Sequence, residues 1–299
     1  MMEPEYYIFT GGVVPLHVTH VIIDKALKFV RARAFKEHPN IEEVICHDGV
    51  ETIKQRACYN CPSLRRVIMP GVKEVEKGAF NNCSALTYIE CGKLERIGVL
   101  AFQLCVSLRS VDLPSIKIIE RTAFNNCTNL INAKFGKDLK KIRERAFYGC
   151  TSLERISIPM KDHMIPNNDA FAGCKKLKSV DLVEGAMLHE TVAALLMEEW
   201  KDDMNEEIGT ICQNLASAPA GDVIYDGGKS RAIRVWIGSV LYKIVDYKCR
   251  HRCELSSATN TLQLHLPKDI LKKNVLPFLE LPSHTFDGEI RATSVGPLY

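Results

Sequence analysis

One phrase recurs along this chain, and it constrains the architecture more than any other feature. Ala123-Phe124-Asn125-Asn126-Cys127-Thr128-Asn129-Leu130 restates Ala79-Phe80-Asn81-Asn82-Cys83-Ser84-Ala85-Leu86. The same phrase returns as Ala101-Phe102 with Cys105 and Leu108, as Ala146-Phe147 with Cys150 and Leu153, and as Ala170-Phe171 with Cys174 and Leu177. Looser copies precede them: Ala57-Cys58 with Cys61 and Leu64, and Ala34-Phe35 with His38 and Ile41. The anchoring alanines stand at 34, 57, 79, 101, 123, 146 and 170, so the steps are 23, 22, 22, 22, 23 and 24 residues. Such a steady period marks a stack of similar supersecondary units.

Counting from each alanine shows what one unit buries. Four residues before it stands Val30, Ile53, Val75, Ile97, Ile119 or Ile142, slipping to Ile165 in the last copy. Seven after it comes Ile41 or a leucine; ten and twelve after it lie apolar pairs such as Val44/Cys46, Val67/Met69 and Val111/Leu113. The +10 and +12 residues alternate with variable ones, and a period of two means a short strand with one face in the core. Proline (Pro70, Pro114, Pro159) or glycine (Gly92, Gly136) at +13 ends that strand. The Ala-Phe portion is expected opposite, on a tight or short helical turn. One coil cannot bury its own apolar side, so coils stack and share a core. The strands are then expected in one parallel sheet about 4.8 Å apart, giving a face roughly 30 Å long.

These residues resemble the BspA-like leucine-rich repeats, whose pattern is close to L-x-x-I-x-x-x-A-F-x-x-C-x-x-L-x-x-I-x-L-P. The match runs from about residue 25 to 183. The resemblance implies an α/β repeat solenoid of about seven 22–24-residue coils with its parallel sheet on the concave face. It also implies a binding role without catalysis, and the closest fit is to intracellular relatives in unicellular eukaryotes. Some family members resemble bacterial surface adhesins, a second reading. The copies depart from the pattern at His38, Cys58 and Ala133, and the last carries the extra polar run Met164 to Asp169.

The ends do not repeat. Residues 1–24 are expected to form an N-terminal capping half-coil, with Val18, Val21 and Ile23 at the spacing of a last strand and Tyr6-Tyr7-Ile8-Phe9 covering the core. The solenoid is read over 25–185, a helical C-terminal extension over 186–282 and a disordered tail over 283–299. A first helix carries Met187, Leu188, Val192, Leu195, Leu196 and Trp200, and is expected to pack on the open end of the solenoid. A loop spans Ser217 to Gly228. A second helix is predicted from Ser230 to about Leu255, with Ile233, Ile237, Val240, Leu241, Ile244 and Val245 as its stripe. Its basic end, Lys248, Arg250, His251 and Arg252, suits the negative terminus of a helix dipole. A third helix opens at Leu266-Pro267.

Composition narrows the function classes. The chain has 299 residues, 46% hydrophobic and 25% charged, with a formal charge of +3. That is +6 through Gly185 and −3 beyond it, too dilute over the repeats for a nucleic-acid surface. The first residues lack a basic, apolar leader, and no run approaches the ~18 apolar residues of a spanning helix. Six of the 12 cysteines occupy one repeat position, so buried thiols in a reducing compartment are expected, the cytoplasm first and the nucleus second.

The candidates for chemistry are few. Cys58-x-x-Cys61 has zinc or redox spacing, but both residues fall on core positions. Cys249 and Cys253 lie at i and i+4 on one helical face without a partner pair. The nine histidines are scattered, and no nucleophile elbow, phosphate loop, H-E-x-x-H or dinucleotide turn appears. No enzyme activity, metal or cofactor is expected. Leu266-Pro267-Lys268-Asp269-Ile270 with Val275 to Leu279 resembles the opening of an F-box, which would imply a ubiquitin-ligase substrate adaptor acting through residues 266–279. A generic amphipathic helix explains the same residues.

The binding face is expected where the repeat leaves side chains free. The +9 column contributes Glu43, Arg66, Tyr88, Ser110, Asn132 and Arg155; the +11 column contributes Ile45, Ile68, Glu90, Asp112 and Lys134. Ile45, Ile68 and Tyr88 form an apolar cluster rimmed by charge, the composition of a protein contact. The alternative is that the N-terminal segment folds over it. A protein or peptide partner of a monomeric chain is expected, with neither nucleic acid nor membrane.

Overall fold

The turn around each Ala-Phe explains the coil. In the computed structural model, which describes residues 6–161, 163–166, 169–183, 198–218 and 228–263, each of the first six coils holds two residues in the left-handed region and the seventh holds one. One precedes the alanine (Arg33, Arg56, Gly78, Leu100, Thr122 and Arg145), and one follows it by three (Glu37, Asn60, Asn82, Leu104, Asn126, Gly149 and Gly173). Asparagine and glycine enter this region at least cost, which accounts for their recurrence three residues after the alanine. The turn's amides then point to the next coil. Phe35, Cys58, Phe80, Phe102, Phe124 and Phe147 donate in succession to the carbonyls of Ala57, Ala79, Ala101, Ala123, Ala146 and Ala170 at 2.7–2.8 Å.

The strands run in chain order. The main sheet is formed in two parts by β1 (Tyr6–Phe9), β2 (His20–Ile23), β4 (Glu43–Ile45), β6 (Arg66–Ile68) and β8 (Tyr88–Glu90), then by β10 (Ser110–Leu113), β12 (Asn132–Phe135), β14 (Arg155–Ile158) and β15 (Ser179–Leu182). Each pair is parallel. A second ladder, which the sequence reading lacked, is built from two-residue strands at the aliphatic position four before the alanine: β3 (Phe29–Val30), β5 (Thr52–Ile53), β7 (Glu74–Val75), β9 (Arg96–Ile97), β11 (Ile118–Ile119) and β13 (Lys141–Ile142). Two residues suffice because one faces in and its neighbour out.

Between the sheets lies the core. Phe80, Phe102, Phe124, Phe147 and Phe171 stack with centroids 5.1–5.4 Å apart and planes within 10°. Cys58 interrupts that column, and Phe35 meets Phe9 edge-on at 4.8 Å instead. The repeat cysteines have a specific task. Cys61, Cys83, Cys105, Cys127, Cys150 and Cys174 each donate a thiol hydrogen to a carbonyl of the preceding coil, at 2.9–3.2 Å. Burial pushes the thiols of Cys46, Cys91 and Cys174 up to about 12, and those of Cys58, Cys83, Cys105 and Cys150 well above the ordinary range. Thiolate character is suppressed, so these sulfurs are poor nucleophiles and poor metal ligands.

The chain divides into two compact units, one of residues 1–184 with 207–241 and one of 185–206 with 242–299. In the first unit the stack is closed at its far end by the start of helix α2 (Gly228–Gln263). The Phe171 amide, which has no eighth coil to reach, donates to the hydroxyl of Ser230 at 3.0 Å, and Ser230 is fully buried. Arg234 reaches the Pro166 carbonyl at 3.2 Å. The Lys229 amine is almost fully buried, donates to the Leu215 carbonyl, and is held below its ordinary range by that burial. Ile233, Trp236, Ile237 and Val240 are buried with Ile211 and Leu215 of α1 (Glu198–Ser217), and the Trp236 indole donates to the Glu207 carbonyl at 2.9 Å. In the second unit Asp203 accepts from Lys243 at 2.9 Å and from the Tyr247 hydroxyl, while Trp200 stacks on Tyr247 at 5.3 Å.

Two sequence expectations change here. Helix α2 ends at Gln263 rather than near Leu255, so the basic run from Lys248 to Arg252 lies inside the helix and not at its dipole terminus. Arg250 instead pairs with Asp246 at 2.9 Å and sits over the Tyr247 ring. Tyr6 to Phe9 form a strand that lengthens the main sheet, with Tyr7 and Phe9 on the core-facing side and Phe9 alone fully buried. The segments expected as the helix from Met187 and the F-box-like stretch 266–279 lie outside the described residues, apart from the last turn of the first around Trp200.

Candidate functional site

Buried Val21, Val44 and Val67 fix which side of the main sheet faces the core, so their neighbours on the strands face outward. The strand register sorts the outward residues into two rows. One reads Tyr6, His20, Glu43, Arg66, Tyr88 across five strands. The other reads Ile8, Ile22, Ile45, Ile68, Glu90. Sequence counting had found the second halves of both rows. It missed Tyr6, Ile8, His20 and Ile22, because β1 and β2 precede the first alanine and carry no repeat phrase to count from. The unbroken apolar run Tyr6 to Phe9 was the available signal.

Ile8 is 58% exposed, and Ile22, Ile45 and Ile68 are half-buried against one another. The described N-terminal segment therefore extends the apolar patch instead of covering it. Four β-branched side chains in register suit a pleated surface, yet their outer faces remain in water.

The flanking row is tied together electrostatically. Glu43 is 9% exposed, which removes it from the rim where the sequence reading had put it. Its carboxylate accepts from the Tyr6 hydroxyl at 3.3 Å and lies 3.3 Å from Arg66 Nε. That negative charge holds the Tyr6 phenol above its ordinary range. The Arg66 guanidinium lies 5.2 Å from the Tyr88 ring centroid, and the Tyr88 hydroxyl reaches Glu90 at 3.4 Å. Tyr6 meets His20 edge-on at 5.4 Å. Arg66 and Tyr88 are thus pre-positioned at little remaining entropic cost, a property of residues that dominate protein contacts.

The other expected residues lie on the second part of the main sheet. Ser110, Asn132 and Arg155 share one row with Ser179; Asp112 and Lys134 share the next with Ser157 and Asp181. No strand pairing joins β8 to β10 among the described residues. Ser110, Asp112, Lys134 and Arg155 are exposed and Asn132 is half-buried; Arg155 pairs with Asp181 at 3.3 Å. This half of the face is polar throughout.

The second ladder presents a different surface. Residues on and just after its strands pair across coils: Lys54 with Glu76 at 2.8 Å, Arg96 with Glu120 at 3.0 Å and Arg143 with Glu120 at 3.1 Å. A shallow cavity of about 280 Å³ opens beside Gly98, lined by Glu74, Glu76, Arg96 and Glu120. Gly98 itself packs against the preceding coil, where a Cβ would fall 2.8 Å from the backbone of Glu76. Its carboxylates already hold cationic partners. Among the described residues, no group of three His, Cys, Asp or Glu side chains is arranged to hold a metal ion, and no helix is long and apolar enough to cross a membrane. Cys249 and Cys253 are exposed on α2; Cys58 and Cys61 are buried.

Comparison with known proteins agrees with this architecture. The family model described as BspA type leucine rich repeat region matches in six copies over residues 15–116 and 95–191. No curated protein matches the chain at a significant level. Among solved structures, the chain is similar to the T. pallidum leucine rich repeat protein TpLRR, at 29% identity and a TM-score of 0.44 over 47% of this chain and 69% of that one. A leucine-rich repeat protein from Bacteroides ovatus aligns at 26% identity and a TM-score of 0.38, over 48% of this chain and 44% of that one. The pneumococcal vaccine antigen PcpA aligns at 18% identity and a TM-score of 0.42, over 55% and 45%. The chain thus spans less than half the length of these last two. With its repeat phrase, its coils and its family match covering more than half of its residues, the chain belongs to the BspA-type leucine-rich-repeat family.

Proposed function

We propose that this protein is a non-enzymatic interaction scaffold that binds a protein partner on the outward face of the main sheet. The observation that carries the reading is the row Ile8, Ile22, Ile45, Ile68, bordered by the ordered Arg66 and Tyr88. An apolar row of this kind costs solubility and contributes nothing to the core, whereas water leaving it on contact is favourable. An Arg–aromatic pair beside it supplies the anchors that protein interfaces favour. The proposed contact set is Ile45, Arg66, Ile68, Tyr88 and Glu90, joined by Ile8 and Ile22, with Ser110, Asp112, Asn132, Lys134 and Arg155 as a polar continuation.

The scaffold is proposed to act as a monomer in a reducing compartment, the cytoplasm or nucleus. Nine buried free cysteines, six of them hydrogen-bonded as thiols, support that setting.

Affinity capture with the wild type and with an Ile68→Asp/Tyr88→Ala variant tests the reading. Both positions are solvent-facing, so the variant is expected to keep its far-UV spectrum and lose the specifically retained protein. Retention of the same protein by the folded variant would overturn the assignment of the face.

A further inference from the structure

We infer that the main-sheet face is built for one class of partner: an amphipathic helix of another protein, lying across the strands, with its aliphatic stripe on Ile8, Ile22, Ile45 and Ile68 and basic residues beyond it over Glu90 and Asp112. This inference rests on the proposed binding face and specifies its occupant.

Three observations carry it. The first is spacing. The four isoleucines occupy successive strands in one register row, about 4.8 Å apart. A helix presents one side chain per turn along a face, about every 5.4 Å, so positions i, i+4, i+7 and i+11 follow the row within a few ångströms over its whole length. An extended peptide repeats on one face roughly every 6.7 Å and falls out of step by the third strand. The second is charge. Glu90 continues the isoleucine row directly, across from Ile68, and Asp112 holds the equivalent place in the following coil. Both are exposed and neither forms an ion pair within 4.0 Å among the described residues; Glu90 accepts from the Tyr88 hydroxyl, and Asp112 stands across from Lys134. Among the described residues, the main sheet has no pairing between the two strands that carry these carboxylates, β8 and β10. The third is the row beside it. Glu43 is neutralised by Arg66 and bonded to Tyr6, which leaves Glu90 as the carboxylate at the end of the apolar row, with Asp112 beyond it.

A partner helix that fits would place Leu, Ile or Met at i, i+4, i+7 and i+11, and Lys or Arg one and two turns further along. It would cover the apolar row and bring its cations against Glu90 and Asp112 together. An aliphatic helix with acidic residues at those turns would be rejected, since two carboxylates would face two more.

The test uses synthetic helical peptides of about 25 residues with an aliphatic stripe and two lysines, placed after the stripe in one and before it in the other. Matched peptides carry glutamates in place of the lysines. Binding to the full chain is followed by fluorescence anisotropy at low and moderate salt. At least one lysine peptide is expected to bind, weakening about tenfold or more in the Glu90→Lys/Asp112→Lys variant, which should gain affinity for the glutamate peptide. Ile45→Asp/Ile68→Asp is expected to abolish both. Failure of both lysine peptides, or binding that ignores the charge reversal, overturns the helix inference. If the Ile68→Asp/Tyr88→Ala variant still loses its captured protein, the binding face itself stands and only the occupant is wrong. If neither experiment depends on the face, both readings fall.

Discussion

Replacing Ser230 by alanine removes one oxygen atom and tests the whole account of how the stack is closed. In six coils the amide just after the anchoring alanine, or its equivalent, donates to the next coil's alanine carbonyl. In the seventh, the Ser230 hydroxyl stands in for that carbonyl, 3.0 Å from the Phe171 amide in a fully buried position. Alanine leaves that amide without a partner and without access to water. The cost of such an orphaned donor is about 1–3 kcal/mol. Because coils in an array are coupled mainly to their neighbours, the loss should be felt first at the end of the stack. Hydrogen exchange on the intact chain reads this directly. Amides of residues 170–183 are expected to exchange roughly 5- to 150-fold faster in Ser230→Ala, while those of residues 79–130 change little. Ser217→Ala serves as the control: its hydroxyl bonds only to carbonyls of its own helix on an exposed face, and should cost less than about 0.5 kcal/mol. Equal exchange at Phe171 in the two variants would refute the reasoning.

Further consequences can be measured in the same protein. Leu104 sits at φ +59° in the turn position where Asn60, Asn82 and Asn126 are at home, and Asn82 already donates to Asn60 at 2.7 Å; Leu104→Asn is expected to raise stability by about 0.5–1 kcal/mol in urea titrations. Gly98→Ala forces a methyl into the backbone of the preceding coil and should cost about 1–3 kcal/mol by the same measurement. Stability should also fall in alkali. The buried thiols of Cys46, Cys91 and Cys174 are raised from 9.0 to about 12, so the folded chain keeps protons that the unfolded chain releases. Their contribution is complete below pH 9 and is lost between pH 9 and about 12, on the order of 1 kcal/mol per thiol by pH 10. Urea midpoints from pH 8 to 10.5 check this, and Cys46→Ala should flatten the slope. A thiol reagent added to the native protein is expected to find Cys212, Cys249 and Cys253 quickly and the other nine only on unfolding.

The repeat was legible because each of its signals has one physical meaning. A period of two at +10 and +12 gave the main strands, and one aliphatic residue four before the alanine marked what proved to be a second ladder. That ladder escaped prediction because two residues are too few to show a period. The recurring asparagine and glycine after Ala-Phe were visible from the start, and their left-handed backbone explains them. Residues defined by partners far along the chain were not legible. Ser230 looks like any serine before a helix until Phe171 is brought to it, and Trp236 bonds to a carbonyl 29 residues away. The binding face was half seen for the same reason. Ile45, Ile68 and Tyr88 could be counted from an alanine, whereas Ile8 and Ile22 join them only through strand pairing. Glu43, read as a rim charge, became a buried hub because Tyr6 and Arg66 close over it.

The turn amides that link the coils all point one way. From Arg33 to Gly149, each donates toward the following coil and none toward the preceding one, while the cysteine thiols return hydrogen bonds in the opposite sense. Along its turn edge the stack therefore has a head that offers acceptors and a tail that offers donors. The group that closes the tail is an oxygen, the Ser230 hydroxyl on the Phe171 amide, and one coil earlier the Asp169 carboxylate accepts from the Arg145 amide in the same sense. The array is a polar object that grows in one direction only. Anything grafted at its tail, an added coil or a designed cap, must arrive with acceptors, and two such tails cannot be joined through these turns.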